Sequence, residues 1–449
     1  MRNKSFYIQT FGCQMNERDS ETLAGMLRDS GYYESPVRNQ ADVIVINTCS
    51  VRENADKRFF GTLGQLKAVK RERPDTVVAV CGCMMQQQHI IETLKAKYPW
   101  VDLIFGTHNI HEFPELLANV LNEREKIVAV WGRAENIIEG LPSMRKNPYK
   151  AFVNIMYGCD NFCTYCIVPF TRGRERSREP KAILHEVYRL VEDGVREITL
   201  LGQNVNSYQG MVSEEDSEIK KETSFAELIC LLNKTEGLER IRFMTSHPKD
   251  LSEELIEAYV SCEKLCPHIH LPVQSGSTKI LSMMNRKYTA EAYLKLVERL
   301  RSRVPDIAIT TDIIVGFPGE TEQDFDATLN LVKTVGFDSA FTFLYSARKG
   351  TPAEDFKDQV PESIKHDRFN RLVNILNITS AEKNKALVGT TEEVLAEGKS
   401  KTNAALFTGR TGGHKLVNFK ADSDVSGHIV KVLITNSTTF SLTGRASEV

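Results

Sequence analysis

Apolar and polar positions change rhythm three times along this chain, and each rhythm predicts a different layout. Over residues 1–122 short β-rich runs alternate with amphipathic stretches. SFYIQT opens the series, and a helical pattern follows from Asn16 to Asp29. DVIVIN (42–47) is an unbroken apolar run, the kind buried on both faces of a parallel sheet. Charged helical residues continue to Arg71. TVVAV (76–80), helical residues 86–97, VDLIF (101–105) and a helix near 111–122 complete the series. This βαβα order predicts a doubly wound parallel sheet. Residues 123–147 lose the rhythm and carry Gly140-Leu141-Pro142 and Asn147-Pro148, which predicts a linker.

The second rhythm fills residues 148–378. Six strand candidates recur there: AFVNIMY, EITLL, RIRFMT, HIHLPV, IAITTDIIV and SAFTFLY, with helical segments between them. Six such units predict an open or partial (β/α)6 barrel with its chemistry at the C-terminal ends of the strands. SEEDSEIKKE (213–222) reads as a solvated loop, and 361–387 as one long helix. The third rhythm is set within 379–449. EEVLAEG, AALFTGRT, KLVNF, HIVKVLIT and FSLTGRA, separated by turn residues, predict a small antiparallel β-barrel of about 60 residues.

Composition narrows the setting. A hydrophobic share of 41% and a charged share of 26% are ordinary for a soluble globular protein. The net charge of −2 excludes a chain that binds polyanions by global charge, so any nucleic-acid surface must be a local basic patch. No stretch approaches the roughly 18 apolar residues of a membrane span, and MRNKSFYIQTFG lacks the apolar run of a secretion signal. A cytoplasmic protein is expected. In a reducing compartment its ten cysteines read as metal or redox sites sooner than as disulfides.

Cys159-x3-Cys163-x2-Cys166, within YGCDNFCTYCIVPFTRGRERSR, is the strongest local signal. Three thiolates on one short loop can hold three irons of a [4Fe–4S] cluster and leave the fourth iron open to a small chelating ligand. A zinc site normally takes four protein ligands, and no fourth Cys or His lies nearby in sequence. A second set, Cys13, Cys49 and Cys83, follows three predicted strands by two or three residues each. Strands of a parallel sheet end on one edge, so these loops can converge there into a second three-thiolate site. Cys81 shares the third loop but lies nearer its strand. The plainer alternative for this set is three buried small hydrophobes.

GCQMNERDSE, NTCSVRENADKR, CGCMMQ, the Cys159 motif, LLGQNVNSY, TSHP, LPVQSGS, MNRKYT and TDIIVGFPGET follow one another through the chain. Together they resemble the methylthiotransferases of the radical S-adenosylmethionine superfamily. Gln14-Met15-Asn16 and Ser50-Val51-Arg52 resemble the branch acting on isopentenyladenosine. The branches acting on threonylcarbamoyl-adenosine or on a ribosomal protein differ after the first cysteine.

The resemblance implies methylthiolation of C2 of N6-isopentenyladenosine at position 37 of tRNA. It implies two [4Fe–4S] clusters, the second on Cys13, Cys49 and Cys83, and two molecules of S-adenosylmethionine per product. One of these yields a 5′-deoxyadenosyl radical, which can attack a C–H bond that no side-chain base could deprotonate. The C-terminal barrel matches the family's TRAM domain, an RNA-binding module. The implied partners are the tRNA anticodon stem-loop and an electron donor such as flavodoxin or ferredoxin, and the protein is expected to be a monomer. Methylthiolation of threonylcarbamoyl-adenosine or of a ribosomal protein, and an iron–sulfur RNA-binding protein without turnover, are the alternatives.

Around S-adenosylmethionine the superfamily pattern places Gly202 and Gln203 near the methionine amino group. Ser246 and Gln274 follow the third and fourth barrel strands. Arg286 is the candidate fork for the methionine carboxylate, and Gly316 allows a close backbone approach to the adenosine. For RNA, Arg172, Arg174, Arg176 and Arg178 form a basic run that alone reads as a solvated face, and its place beside the first cluster motif brings phosphate contact level with that reading. In the C-terminal barrel Lys399, Lys401, Arg410, Lys415 and Lys420 lie near Phe407 and Phe419, as in an RNA platform, unless those rings are barrel core.

Overall fold

The computed structural model describes residues 4–50, 53–133, 136–211 and 222–447. Val51, Arg52 and all of the acidic stretch except Glu222 lie outside them.

The N-terminal unit runs β1 (Ser5–Phe11), α1 (Gln14–Asp29), β2 (Tyr33–Glu34), β3 (Val43–Thr48), α2 (Glu53–Glu72), β4 (Val77–Gly82), α3 (Gln88–Lys97), β5 (Leu103–Phe105), α4 (Phe113–Glu123) and β6 (Ile127–Ala129). Its strands form one parallel sheet in the order β2-β1-β3-β4-β5-β6. Alternate residues of β3 and β4 face opposite layers. Ile44, Ile46, Val78 and Val80 pack with Phe59, Leu63 and Leu66 of α2 and Leu94 of α3. Val43, Val45, Val77 and Ala79 pack with Leu23 and Leu27 of α1 and Leu117 of α4. Helices on both faces explain why Val43–Ile46 and Val77–Val80 are apolar without a break. The strand order reverses between β1 and β3, which opens a crevice at their C-terminal ends.

The expected linker is more ordered than its composition suggests. Ile127-Val128-Ala129 adds β6 to the sheet edge. Leu141 and Met144 then pack on the α1 side of the core, and the Met144 amide donates to the Glu21 carbonyl at 2.8 Å. Gly25 makes that approach possible, because a Cβ there would lie 2.6 Å from the Ser143 backbone nitrogen.

The central unit begins with β7 (Lys150–Asn154), β8 (Met156–Tyr157), α5 (Val168–Thr171), β9 (Arg176–Ser177), α6 (Pro180–Glu192), β10 (Glu197–Leu201), β11 (Gln209–Met211), β12 (Glu222–Ser224), α7 (Phe225–Asn233) and β13 (Arg240–Phe243). It continues with α8 (Glu253–Ser261), β14 (His268–His270), α9 (Thr278–Met283), α10 (Ala290–Arg303), β15 (Ala308–Val315), α11 (Glu322–Val335), β16 (Ser339–Leu344) and α12 (Glu362–Ala386). Two parallel three-stranded sheets, β7-β10-β13 and β14-β15-β16, meet through the parallel bridge Ile241–Leu265. Together they make a six-stranded open barrel around one continuous core. α12 runs unbroken past residues 378 and 379.

The C-terminal unit is a closed barrel in the order β17 (Thr391–Lys399), β18 (Phe407–Thr411), β19 (Leu416–Lys420), β21 (Leu442–Ala446), β20 (Ile429–Ser437). It docks on the N-terminal end of the larger barrel. Arg240 donates to the Arg410 and Glu393 carbonyls, and Arg242 to those of Gly412 and Thr411, at 2.7 to 2.9 Å. Glu197 neutralises this layer, 2.9 Å from Arg242 and 3.1 Å from Lys150. His414 stacks on His268 with ring centroids 5.0 Å apart. The opposite end of the larger barrel is left for the N-terminal sheet edge.

Candidate functional site

Three loops leave the C-terminal edge of the N-terminal sheet, and each carries one cysteine of the second set. Paired register sets their level: Phe11 lies opposite Thr48, and Thr48 opposite Gly82. Cys13, Cys49 and Cys83 therefore follow at neighbouring positions on the edge where the strand order reverses. An amide network holds the crevice. Asn16 Nδ2 donates to Asn47 Oδ1 at 3.1 Å, and Asn47 Nδ2 donates to the Asn16 carbonyl and Ser20 Oγ. Asn16 Oδ1 accepts from the Cys13 amide and thiol. Gly82, at φ +100°, is required here because a Cβ would come 2.2 Å from the Thr48 carbonyl oxygen. Cys81 belongs to the apolar layer with Phe6, Val45 and Ala79, so the third loop contributes Cys83.

Charge around this set comes from the other unit. Arg172, six residues past Cys166, is buried between the units. Its Nε donates to Cys83 Sγ at 3.0 Å and its Nη2 to Asp19 at 2.7 Å. The hydrogen-bonded Cys49 thiol, with Arg172 behind it, holds the Cys13 thiol down to about 6 against the effect of burial. Cys13 is also the N-cap of α1, where a thiolate is favoured. Burial raises the Cys83 thiol despite Arg172.

The loop carrying Cys159, Cys163 and Cys166 sits at the C-terminal mouth of the barrel. Burial pushes the Cys159 thiol up to about 11 and the Cys166 thiol to about 12, with Cys163 adding to both. MNRKYT shapes this loop. Asn285 Nδ2 donates to the Asn161 and Phe162 carbonyls, Thr164 hydrogen-bonds the backbone of Met283 and Met284, and Arg286 Nη1 lies 3.5 Å from Cys163 Sγ. Asn285 was not legible as a site residue, because its role depends on a contact across more than a hundred residues. Among the described residues no three His, Cys, Asp or Glu side chains are grouped as for a single metal ion.

Of the S-adenosylmethionine candidates, Gln203 Oε1 accepts from the Gly158 amide at the start of the cluster loop, and its Nε2 contacts Met15 Sδ of α1. Gly202 packs against Met156. Ser246 is buried with its Oγ unpartnered. Beside it His247 Nδ1 accepts from the Lys249 amide, while Nε2 has no partner. Burial and Arg286 depress its imidazole to about 2, so the ring is neutral. Two buried polar atoms without partners at the barrel mouth suit a polar cofactor. Gln274, at φ +70°, lines the end of the fourth strand through backbone bonds to β15.

Two further candidates carry contacts within the protein. The Arg286 fork places Nη2 on the Pro272 carbonyl, Nε on Tyr288 Oη and Nη1 toward Cys163 Sγ. Gly316 donates its amide to Glu320, and its open side is filled by Lys365, whose Cγ would lie 2.3 Å from a Cβ. Its conformation, φ +75°, serves packing against α12.

Comparison with known proteins agrees with this architecture. Residues 5–106 match the Uncharacterized protein family UPF0004, 153–332 the Radical SAM superfamily and 385–447 the TRAM domain. A protein of Clostridium botulinum (strain Hall) named tRNA-2-methylthio-N(6)-dimethylallyladenosine synthase is 56% identical over 439 residues, covering 98% of this chain and 96% of its own. One of the same name from Acetivibrio thermocellus is 55% identical over 99% of this chain and 91% of its own. The chain belongs to the tRNA-2-methylthio-N(6)-dimethylallyladenosine synthase family. Membership of the radical SAM superfamily brings S-adenosylmethionine and a [4Fe–4S] cluster. In fold, the chain is similar to the radical S-adenosylmethionine methyltransferase TsrM of Kitasatospora setae (TM-score 0.56, 13% identity, 88% of this chain and 77% of that one). It is also similar to the cobalamin-dependent radical enzyme OxsB (TM-score 0.52, 15% identity, 85% and 56%).

The basic residues expected to meet RNA divide sharply. Arg172 is buried on Cys83 and Asp19. Arg178 is buried too, paired with Glu139 and with Glu186 at 2.7 Å. Both guanidinium groups are engaged by protein partners, Arg172 by Cys83 and Asp19 and Arg178 by Glu139, Glu186 and the Asn154 carbonyl. Arg176 is half-buried on the wall of a cavity of about 750 Å³ between α1, residues 136–145 and α6. Of the other arginines on that wall, Arg18 pairs with Glu186 and Arg145 with Asp193. Arg174 stays exposed. In the small barrel Lys415 is held 3.1 Å from Asp338 at the docking face, and Arg410 donates to the His414 carbonyl. Phe407 and Phe419 stack at 6.0 Å inside the core. Lys399, Lys401 and Lys420 remain on the outside.

Proposed function

We propose that this protein methylthiolates C2 of N6-isopentenyladenosine at position 37 of tRNA. One cluster is held by Cys159, Cys163 and Cys166, the other by Cys13, Cys49 and Cys83, and two molecules of S-adenosylmethionine are used per product. The observation that carries the reading is the pair of bridges made by Arg172 and Gln203. Arg172 ties the Cys83 loop to the segment after Cys166, and Gln203 ties the start of the Cys159 loop to Met15 of α1, which supports assigning the two thiol sets to one shared site. The clusters and S-adenosylmethionine, when bound, supply the radical and the sulfur.

The chain's own residues do the positioning. Asn16 and Asn47 fix the Cys13 and Cys49 loops, and Asn285 and Arg286 fix the Cys163 loop. Ser246 and His247 Nε2 offer polar contacts to the cofactor, and the buried walls exclude water. Exposed Lys399, Lys401 and Lys420, with Arg174, offer cations to the RNA backbone. None of the ten cysteines is in a disulfide. The setting proposed is a cytoplasmic monomer reduced by a flavodoxin or ferredoxin. Among the described residues no helix is long and apolar enough to cross a membrane.

The test is anaerobic turnover of reconstituted protein with tRNA bearing or lacking the isopentenyl group, followed by mass analysis of nucleosides. The 2-methylthio product is expected only from the prenylated RNA. Equal modification of unprenylated or threonylcarbamoylated RNA would overturn the substrate. Two cubanes predict about eight irons per chain, and about four with all six cysteines intact would remove the second cluster.

A further inference from the structure

We propose that Phe162, Phe170 and Arg174 form a stacking step for an unpaired nucleotide flanking the target adenosine. The inference rests on the reading of the substrate as an RNA loop. Phe162 lies between Cys159 and Cys163 and is 38% exposed, and Phe170, four residues past Cys166, is 51% exposed. Their ring centroids are 6.3 Å apart at 83°. Two large rings thus face solvent on either side of Cys163, which is buried.

Phe162 is also held in an uncommon backbone conformation, φ +46°, which disfavours a bulky side chain. Asn285 maintains it, donating to the Asn161 carbonyl at 3.3 Å and the Phe162 carbonyl at 3.0 Å. Thr164 adds two anchors, its amide to Met284 and its hydroxyl to Met283. A strained residue kept in place by its neighbours is a pointer to function. A leucine or glycine would satisfy the cluster loop without presenting a ring to water.

Arg174 identifies the occupant. Its guanidinium lies 5.4 Å from the Phe162 ring centroid. Nε and Nη2 grip the Asp160 carboxylate at 2.6 and 3.1 Å, which fixes the plane and leaves Nη1 outside that grip. The Arg174 side chain is 67% exposed. An aromatic step beside an oriented, exposed cation suits a base on the ring and its phosphate on the guanidinium. An apolar peptide would leave that cation unused. A phenylalanine face accepts any base, so the step adds affinity and register, and identity is read elsewhere.

The test compares reconstituted wild-type protein with Phe170→Leu, Phe170→Tyr and Arg174→Ala for binding of a fluorescently labelled anticodon stem-loop carrying isopentenyladenosine. Iron content and the cluster's absorption spectrum are measured alongside. Phe170→Leu is expected to weaken binding on the order of tenfold, the loss of one stacked base, with iron unchanged. Phe170→Tyr should restore affinity. Arg174→Ala should lower the slope of log affinity against log salt by about one. Unchanged RNA affinity in both Phe170→Leu and Arg174→Ala overturns the step. So does unchanged RNA affinity with slower cluster reduction, which would assign the patch to the electron donor. Failure of the wild-type protein to bind or modify the stem-loop would instead sink the proposed function.

Discussion

The two thiol sets differ in where their environment comes from. Cys159, Cys163 and Cys166 share one loop within one unit, shaped by a second segment of the same barrel. Burial raises the Cys159 and Cys166 thiols. Cys13, Cys49 and Cys83 come from three loops of another unit, and their buried cation, Arg172, reaches across from the barrel. The difference suits a division of labour in which one site is autonomous and the other is complete only when the units are docked. A site assembled across an interface can be tuned by that interface.

Replacing a cysteine in each set should separate the two most strongly. Cys163→Ala is expected to lose both 5′-deoxyadenosine and methylthiolated nucleoside. Cys83→Ala should lose the nucleoside alone while S-adenosylmethionine cleavage persists. Mass analysis of both products checks this, and loss of cleavage in Cys83→Ala would break the contrast. Next in size is Arg172→Leu, which leaves Asp19 buried without its partner. Breaking such a pair costs about 3–5 kcal/mol, visible as a lower denaturant midpoint, and Arg172→Lys should recover only part of it.

The base of the barrel supplies a control remote from both thiol sets. Burial acts to raise the Glu197 carboxyl, but Arg242, Lys150 and Arg240 prevail and lower it from 4.5 to about 2. A depressed acid stabilises the fold above its unfolded value and loses that contribution as pH falls through the folded one. The stability gap between wild type and Glu197→Gln should therefore shrink by about 3 kcal/mol between about pH 5 and pH 2. Circular dichroism during acid titration measures it, and a constant gap would contradict the ion cluster. The smallest effect expected is that of Asn16→Ala, about 1–3 kcal/mol from amide groups left unmatched in the crevice. It should show as faster iron loss from the Cys13 set than from the Cys163 set.

Much of this was legible beforehand. The six barrel strands, the parallel N-terminal sheet and the closed C-terminal barrel follow from periodicity, because hydrophobic spacing reports directly on which faces are buried. The Cys159 motif is local, and its spacing alone brings three thiols together. The Cys13 set needed the further step that parallel strands end on one edge. Phe407 and Phe419 could be read as core or as platform, and only the closed barrel assigns them to the core.

Other residues could not be read from the chain. Arg172, Arg174, Arg176 and Arg178 look alike in sequence, yet one grips Cys83, one stays in solvent, one is half-buried and one is locked on two glutamates. A run of charges states how much charge a segment carries, whereas docking of the units decides which guanidinium groups keep their water. The contacts of Arg286 and Gly316 were hidden for the same reason: their partners, Cys163 and Lys365, lie 123 and 49 residues away. Sequence by itself determined the elements and singled out the Cys159 motif as the candidate cluster loop, since both rest on short-range pattern. Tertiary structure alone decided which polar groups are buried together, because burial and pairing across domains depend on packing that no local spacing encodes.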